Sequence, residues 1–349
     1  MCQVRLLPLP LLHLLVSGAP APLSSPLSRV RLALVADPDK ASRRGEEWVT
    51  VLREGELVMQ GDGVEITWEE EQEISNNLAA GGRAMELSEL IMFEDKLVTV
   101  DDKTGVVYRL ANTSGLTPVP WVILSSGPGN RTRGFKGEWG TVVGERLVVG
   151  SHGSEFRSRS GDRVLHRDRM WVKVISRAGI VTHHNWTENF LAVRTAAGIS
   201  WPGFIIHEAV CWSRLRREWT FLPRRISEEG YDPRTVERLG ANIMVTADET
   251  FTTFRTLTLG ERIPGRGFSS FKFLPGSQER IMVGLRTEEV GEKVESFITV
   301  FNTEGKILLG DTKIGDRKYE GVEIIGRTQP SEQAGNNEAE DVAESDLSY

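Results

Sequence analysis

A chain of 349 residues, 39% hydrophobic and 26% charged, has the apolar material for a sizeable core and is neither disordered nor fibrous. The formal net charge of -7 overstates the acidity of the body, because residues 327–349 hold one arginine against six acids and leave -2 for everything before them. That near-neutral body carries no basic stripe interleaved with aromatics, so nucleic-acid binding lacks the electrostatic contribution that supplies its affinity.

In chain order, residues 1–25 read as an address. Arg5 precedes LLPLPLLHLLV and then SGAPAP, the charged, apolar, small-residue order of a secretory signal. Two prolines and His13 interrupt an apolar run that falls short of the roughly 20 residues a membrane span requires, so cleavage is expected and no stable membrane span. With Cys2 in that leader, Cys211 has no partner and no internal disulfide is expected. Sequons at Asn112, Asn130 and Asn185 are compatible with glycosylated loops in a secretory compartment.

The body, residues 29–326, reads as strands. Residues 88–110, SELIMFEDKLVTVDDKTGVVYRL, form three short runs divided by turns at Glu94-Asp95 and at residues 101–105. Two more runs flank Gly144-Glu145. Residues 185–197 suit a short helix and residues 227–238 a linker. Between 281 and 309, apolar runs are parted at residues 287–293 and 303–306. Beyond residue 327 the polar, acidic composition reads as a disordered tail.

Within this all-β pattern, five oxygen-bearing residues stand at the heads of apolar runs: Ser88, Glu138, Glu208, Ser269 and Glu320. Their separations of 50, 70, 61 and 51 residues match propeller blades of about 40 to 50 residues with insertions. In a propeller the first strand of each blade lines the central channel, so five such heads would converge near the axis. There they would repel unless a cation held them, and an all-oxygen ring suits Ca²⁺ better than zinc. The alternative is a set of solvated strand starts.

The segments MELSELI, VDDKTGVVY, PWVILSSG, GFKGEW, IHEAVCW, FLPRR, GFSSFKF and KYEGVE resemble, in order and spacing, the soluble calcium-activated nucleotidases of the apyrase family. The resemblance runs from about residue 29 to residue 325. It implies a five-bladed β-propeller that hydrolyses nucleoside di- and triphosphates with Ca²⁺, preferring UDP and GDP over ADP. Carried across by position, the calcium ligands fall on Ser88, Glu89, Glu138, Glu208, Ser269 and Glu320. The family pattern often has Asp where this chain has Glu89, whose longer arm could reach a metal through water. Residues 150–156, GSHGSEF, also depart from a more tryptophan-bearing pattern.

A carboxylate must steer the attacking water, and the candidates are Asp37 and Asp39 in VADPDKASR with Asp101 and Asp102 in VDDKTG; the alternative for each is an Asx-type turn. Arg224 and Arg225 would contact phosphate through planar guanidinium forks. Other features carry less. The glycine-rich residues 125–134 lack the phosphate-loop pattern, His183-His184 has no ligand-spaced partner, and Ser213 and Ser270 have no nucleophile-elbow setting. A secretory-pathway, calcium-dependent nucleotidase is the leading reading, with a homodimer left open. A non-catalytic propeller that binds proteins and keeps a structural calcium is the rival.

Overall fold

Short apolar runs separated by tight turns can satisfy their backbone only by pairing with the next run, and in the computed structural model they do so antiparallel throughout. The structure describes residues 28–61, 63–112, 116–158, 160–161 and 163–328; the leader and the tail beyond Thr328 lie outside them.

Four four-stranded sheets and one of five strands follow one another as blades. The first comprises Leu87–Phe93, Lys96–Asp101, Val106–Asn112 and Leu116–Ile123, and the second Trp139–Val143, Arg146–Gly150, Trp171–Ile175 and Val181–Asn185. The third runs Phe204–Ser213, Glu218–Ser227, Ile243–Asp248 and Phe254–Thr258, and the fourth Arg266–Phe273, Ile281–Val290, Lys293–Asn302 and Ile307–Gly315. The fifth is assembled from both ends of the described chain. Its inner strand is Tyr319–Thr328, which pairs with Ser28–Ala36, followed outward by Glu47–Gln60 and Gly63–Asn76, with Arg43–Arg44 at the edge. Each innermost strand lies against the innermost strands of both neighbouring blades, closing the ring of a five-bladed β-propeller.

Burial follows from this placement. Inner strands are covered on both faces, so Leu87–Phe93 is buried at every position but Met92, while the outermost Gly63–Asn76 buries only Ile74. Blades approach so closely that a side chain on Gly321 would meet the Leu90 nitrogen at 2.6 Å. An aromatic stack of Trp139, Trp186, Trp219, Phe221 and Phe251 fills the space between blades two and three. The helix Thr187–Ala196 adds Phe190 and Val193 to it.

The expected short helix and the Glu94-Asp95 and Gly144-Glu145 turns stand where the sequence places them. Two boundaries differ. Residues 287–290, read as part of a break, continue a strand, and the turn is confined to Gly291-Glu292. The inner strand of the last blade continues through Arg327 and Thr328, opposite Val30 and Arg29, two residues into the segment read as tail. Cys211 is free and buried, and no described helix is long and apolar enough to cross a membrane.

Candidate functional site

At one end of the channel, four of the five heads occupy a shared backbone irregularity. Pairing between inner and second strands skips Ser88, Glu208, Ser269 and Glu320 in turn, so each is the extra residue of a bulge. Glu138 stands directly before its strand, its N–H donating to Gly150 O at 2.8 Å. A bulge breaks the two-residue alternation and re-aims one side chain, which turns a position inside a packed strand towards the axis. Arg224 is likewise skipped on the strand opposite Glu208, and the two face each other at 2.8 Å.

Contacts link the heads around the ring. Ser88 Oγ donates to Gly137 O, next to Glu138. Glu138 and Glu208 flank His152, whose Nε2 lies 2.8 Å from one carboxylate and 3.5 Å from the other. Arg224 then bridges Glu208 to Glu320, which it reaches at 3.7 Å. Ser269 Oγ lies 3.3 Å from Tyr319 O, next to Glu320, and 3.0 Å from Thr287 Oγ1. All five heads are buried or nearly so, and Lys136 also contacts Glu138.

Beside the ring lies a second acidic group. Asp37, Glu86 and Asp102 bring carboxylate oxygens within 4.8 Å of one another, as do Glu138 and Glu208 with the His152 imidazole. Lys318 joins the two groups, reaching Asp37 at 2.7 Å, Asp39 at 2.8 Å and Glu320 at 3.4 Å. Lys136 ties Asp102 to Glu138, and Arg83 ties Asp39 to Glu86.

Such crowding separates the titration of similar groups. Burial opposes the charge on Glu208, yet Arg224 and then His152 hold it well below the usual carboxylate range. Burial pushes Glu320 well above that range, and the charges of Asp37 and Glu208 add to the push against Lys318 and Arg224. Glu86 rises to about 7 through burial and the charges of Asp37 and Asp102. Asp102 stays low despite burial because Lys136 faces it. Three carboxylates and two hydroxyls head the ring, beside the second acidic group of Asp37, Glu86 and Asp102. That chemistry fits a hard divalent cation.

The remaining candidates divide. Glu89 points away from the five heads: it accepts from Ser270 Oγ at 2.7 Å and from the Leu90 N–H, and meets Lys272 at 3.2 Å. Asp101 is committed to a turn, accepting from the N–H groups of Met85, Lys103 and Thr104. Asp37 also receives the Asp39 N–H, but its second oxygen faces Lys318. Arg225 donates to Gly265 O, leaving Arg224 as the arginine that reaches the ring.

Sequence reasoning passed over Glu86, Lys136, His152, Arg169 and Lys318. Lys136 and Lys318 stand two residues before a head, within motifs already singled out, where a strand alternation would have placed them on the same side. His152 and Arg169 lie outside the regular strands, and only the folded backbone brings them to the acids. Arg169 sits in the field of Glu138 and Asp102 with its guanidinium 5.2 Å from the Phe156 ring centre.

Residues 36–325 match the family model described as Apyrase. The chain is 43% identical over 302 residues to soluble calcium-activated nucleotidase 1 of Mus musculus, covering 85% of this chain and 74% of that protein. It is 39% identical over 317 residues to an apyrase of Cimex lectularius, covering 87% of this chain and 86% of that protein. An apyrase of Caenorhabditis elegans, apy-1, is 40% identical over 298 residues, with 83% of each chain covered. With a family model matched over residues 36–325, which hold all five heads, and relatives such as these covering most of the sequence, this chain belongs to the apyrase family.

Proposed function

We propose that this protein hydrolyses nucleoside di- and triphosphates to the monophosphate and phosphate, with a calcium ion held by Ser88, Glu138, Glu208, Ser269 and Glu320. The observation that carries the reading is the recurrence of an oxygen-bearing residue on or next to all five inner strands, four of them on a bulge and Glu138 directly before its strand. Calcium in such a ring supplies Lewis-acid neutralisation of phosphate oxygens.

The chain's own residues do the rest. Lys136, Arg224 and Lys318 already sit between carboxylates, and a polyphosphate entering the site offers each of them an anionic oxygen as an alternative partner. Asp37 and Asp102, which share one acidic group, are assigned to orient the attacking water; Asp101 is held by three backbone N–H groups and serves the turn that carries Asp102. Preorganised charge of this kind, rather than a covalent intermediate, is what phosphoryl transfer to water requires.

The preference for UDP and GDP over ADP rests on the family resemblance. A secretory route is supported by the order of residues in the leader and by sequons at the exposed Asn130 and Asn185. The direct test is phosphate release from UDP, GDP and ADP in calcium, in chelator and in magnesium. Turnover is expected to vanish in chelator, to return with Ca²⁺ and to return poorly with Mg²⁺, which resists large irregular oxygen cages. Equal rescue by Mg²⁺ would remove calcium from the proposal, and no phosphate release from any nucleotide would remove the activity.

A further inference from the structure

The loop after the second blade's second strand is held down at three successive residues. Ser151 O accepts from Trp139 Nε1 at 2.9 Å, His152 O accepts from the His207 N–H at 2.9 Å, and the Gly153 N–H donates to Arg169 O at 3.0 Å. Gly153 adopts φ of +65°, a left-handed conformation in which a side chain would also run into Phe190 and His207. The effect of this anchoring is to set one imidazole between two ring carboxylates that belong to different blades.

The alignment there is informative. Glu138 Oε1 is buried with Lys136 Nζ and His152 Nε2 close by, yet no group hydrogen-bonds to it in good geometry. A buried carboxylate oxygen without an aligned donor thus lies with an imidazole nitrogen and a second carboxylate oxygen, three potential ligand atoms all within 4.8 Å of one another. One is nitrogen. Oxygen donors suit calcium and magnesium, whereas imidazole shifts a site towards first-row transition ions.

From this geometry we infer that His152 is an additional ligand, which makes the ring of this chain a mixed nitrogen and oxygen site where divalent transition ions compete with calcium. The inference rests on the ring proposed above and adds one residue and one class of ion to it. Lys136 stays on Asp102 when Glu138 turns to the metal, because those two are paired independently of the ring. The backbone bonds at residues 151–153 fix the main chain that carries His152 beside Glu138 and Glu208.

The experiment loads the full chain with Mn²⁺ and reads directly bonded nitrogen by pulsed electron paramagnetic resonance, with Ca²⁺ as competitor. Bound Mn²⁺ is expected to show nitrogen coupling and to be displaced by excess Ca²⁺. His152→Leu should keep a displaceable Mn²⁺ signal, lose the coupling, and lower Mn²⁺ affinity about tenfold relative to Ca²⁺. Displaceable Mn²⁺ without nitrogen coupling in the unaltered chain overturns the role of His152 and leaves the calcium ring standing. Coupling that survives in His152→Leu overturns it also, since another histidine is then the ligand. Failure of both ions to bind overturns the ring and this inference together. A native thermal transition in the variant, read in chelator, separates loss of a ligand from loss of fold.

Discussion

Replacing Glu138, Glu208 or Glu320 by Gln keeps the size of each head and removes the charge that would hold a cation. Each single change is expected to weaken calcium activation and to lower nucleotide hydrolysis by about a hundredfold or more, read by calcium titration of phosphate release. In chelator Glu320→Gln should leave the protein folded, because one fewer buried acid opposes Asp37 and Glu208, whereas Glu208→Gln takes the partner at 2.8 Å from the buried Arg224 and should lower stability. Near-normal calcium dependence in any one variant takes that residue out of the ring. Glu89 belongs to a different balance. Burial raises it from 4.5 to about 7, against the opposing pull of Lys272 and Ser270. Between those values the folded protein binds the proton that the unfolded chain has released, so stability in chelator should fall as pH rises from about 4.5 to about 7, by about 3 kcal/mol. Urea unfolding across that range should show a shallower slope for Glu89→Gln; an unchanged slope would show that Glu89 does not titrate there. The five heads were legible in sequence because an acid or hydroxyl in front of an apolar run is out of place. His152 was not, since its meeting with Glu138 and Glu208 depends on a loop whose course no local pattern encodes.

At the scale of the element, inner strands announced themselves through continuous apolar runs and outer strands did not. In Gly63–Asn76 only the first half, where Val64, Ile66 and Trp68 alternate with polar residues and pack on the core, carries a strand pattern, and EEEQE in its midst has no apolar residue. The strand forms because Glu47–Gln60 offers a free edge and because Arg44 meets Glu73 at 2.7 Å and Arg317 meets Glu71 at 2.8 Å. Residues 287–290 were misplaced for a related reason, since Thr287-Glu288-Glu289 looks like a turn until Arg266 and Lys293 are seen to hold Glu288. The tightest demand falls on the inner strand of the last blade. Gly321→Ala would place a methyl group against the backbone of Glu89 and Leu90, where no side chain can move aside. A loss of about 1–3 kcal/mol is expected in urea unfolding, and a neutral result would show that the two inner strands can separate at no cost.

For the molecule as a whole, the fifth blade joins the first described strand to the last. Ending the chain before Tyr319 removes an inner strand, exposes Val30, Leu32 and Leu34 on one side and the first blade on the other, and takes Glu320 with it. Such a protein is expected to lose its cooperative thermal transition, and a native midpoint by differential scanning calorimetry would mean that the ring stands without its closing strand. The blade count was legible from the spacing of heads, while the closure was not, because pairing of residues some 290 positions apart leaves no local trace. That closure also fixes an order of events in the cell. A ribosome releases residues in sequence, so four of the five heads emerge and the early blades can form before Glu320 has been made. Until Tyr319–Thr328 clears the exit tunnel, the nascent chain has neither a sealed ring nor the full set of proposed ligands. Closure of the ring and completion of the proposed ligand set are thereby the same event.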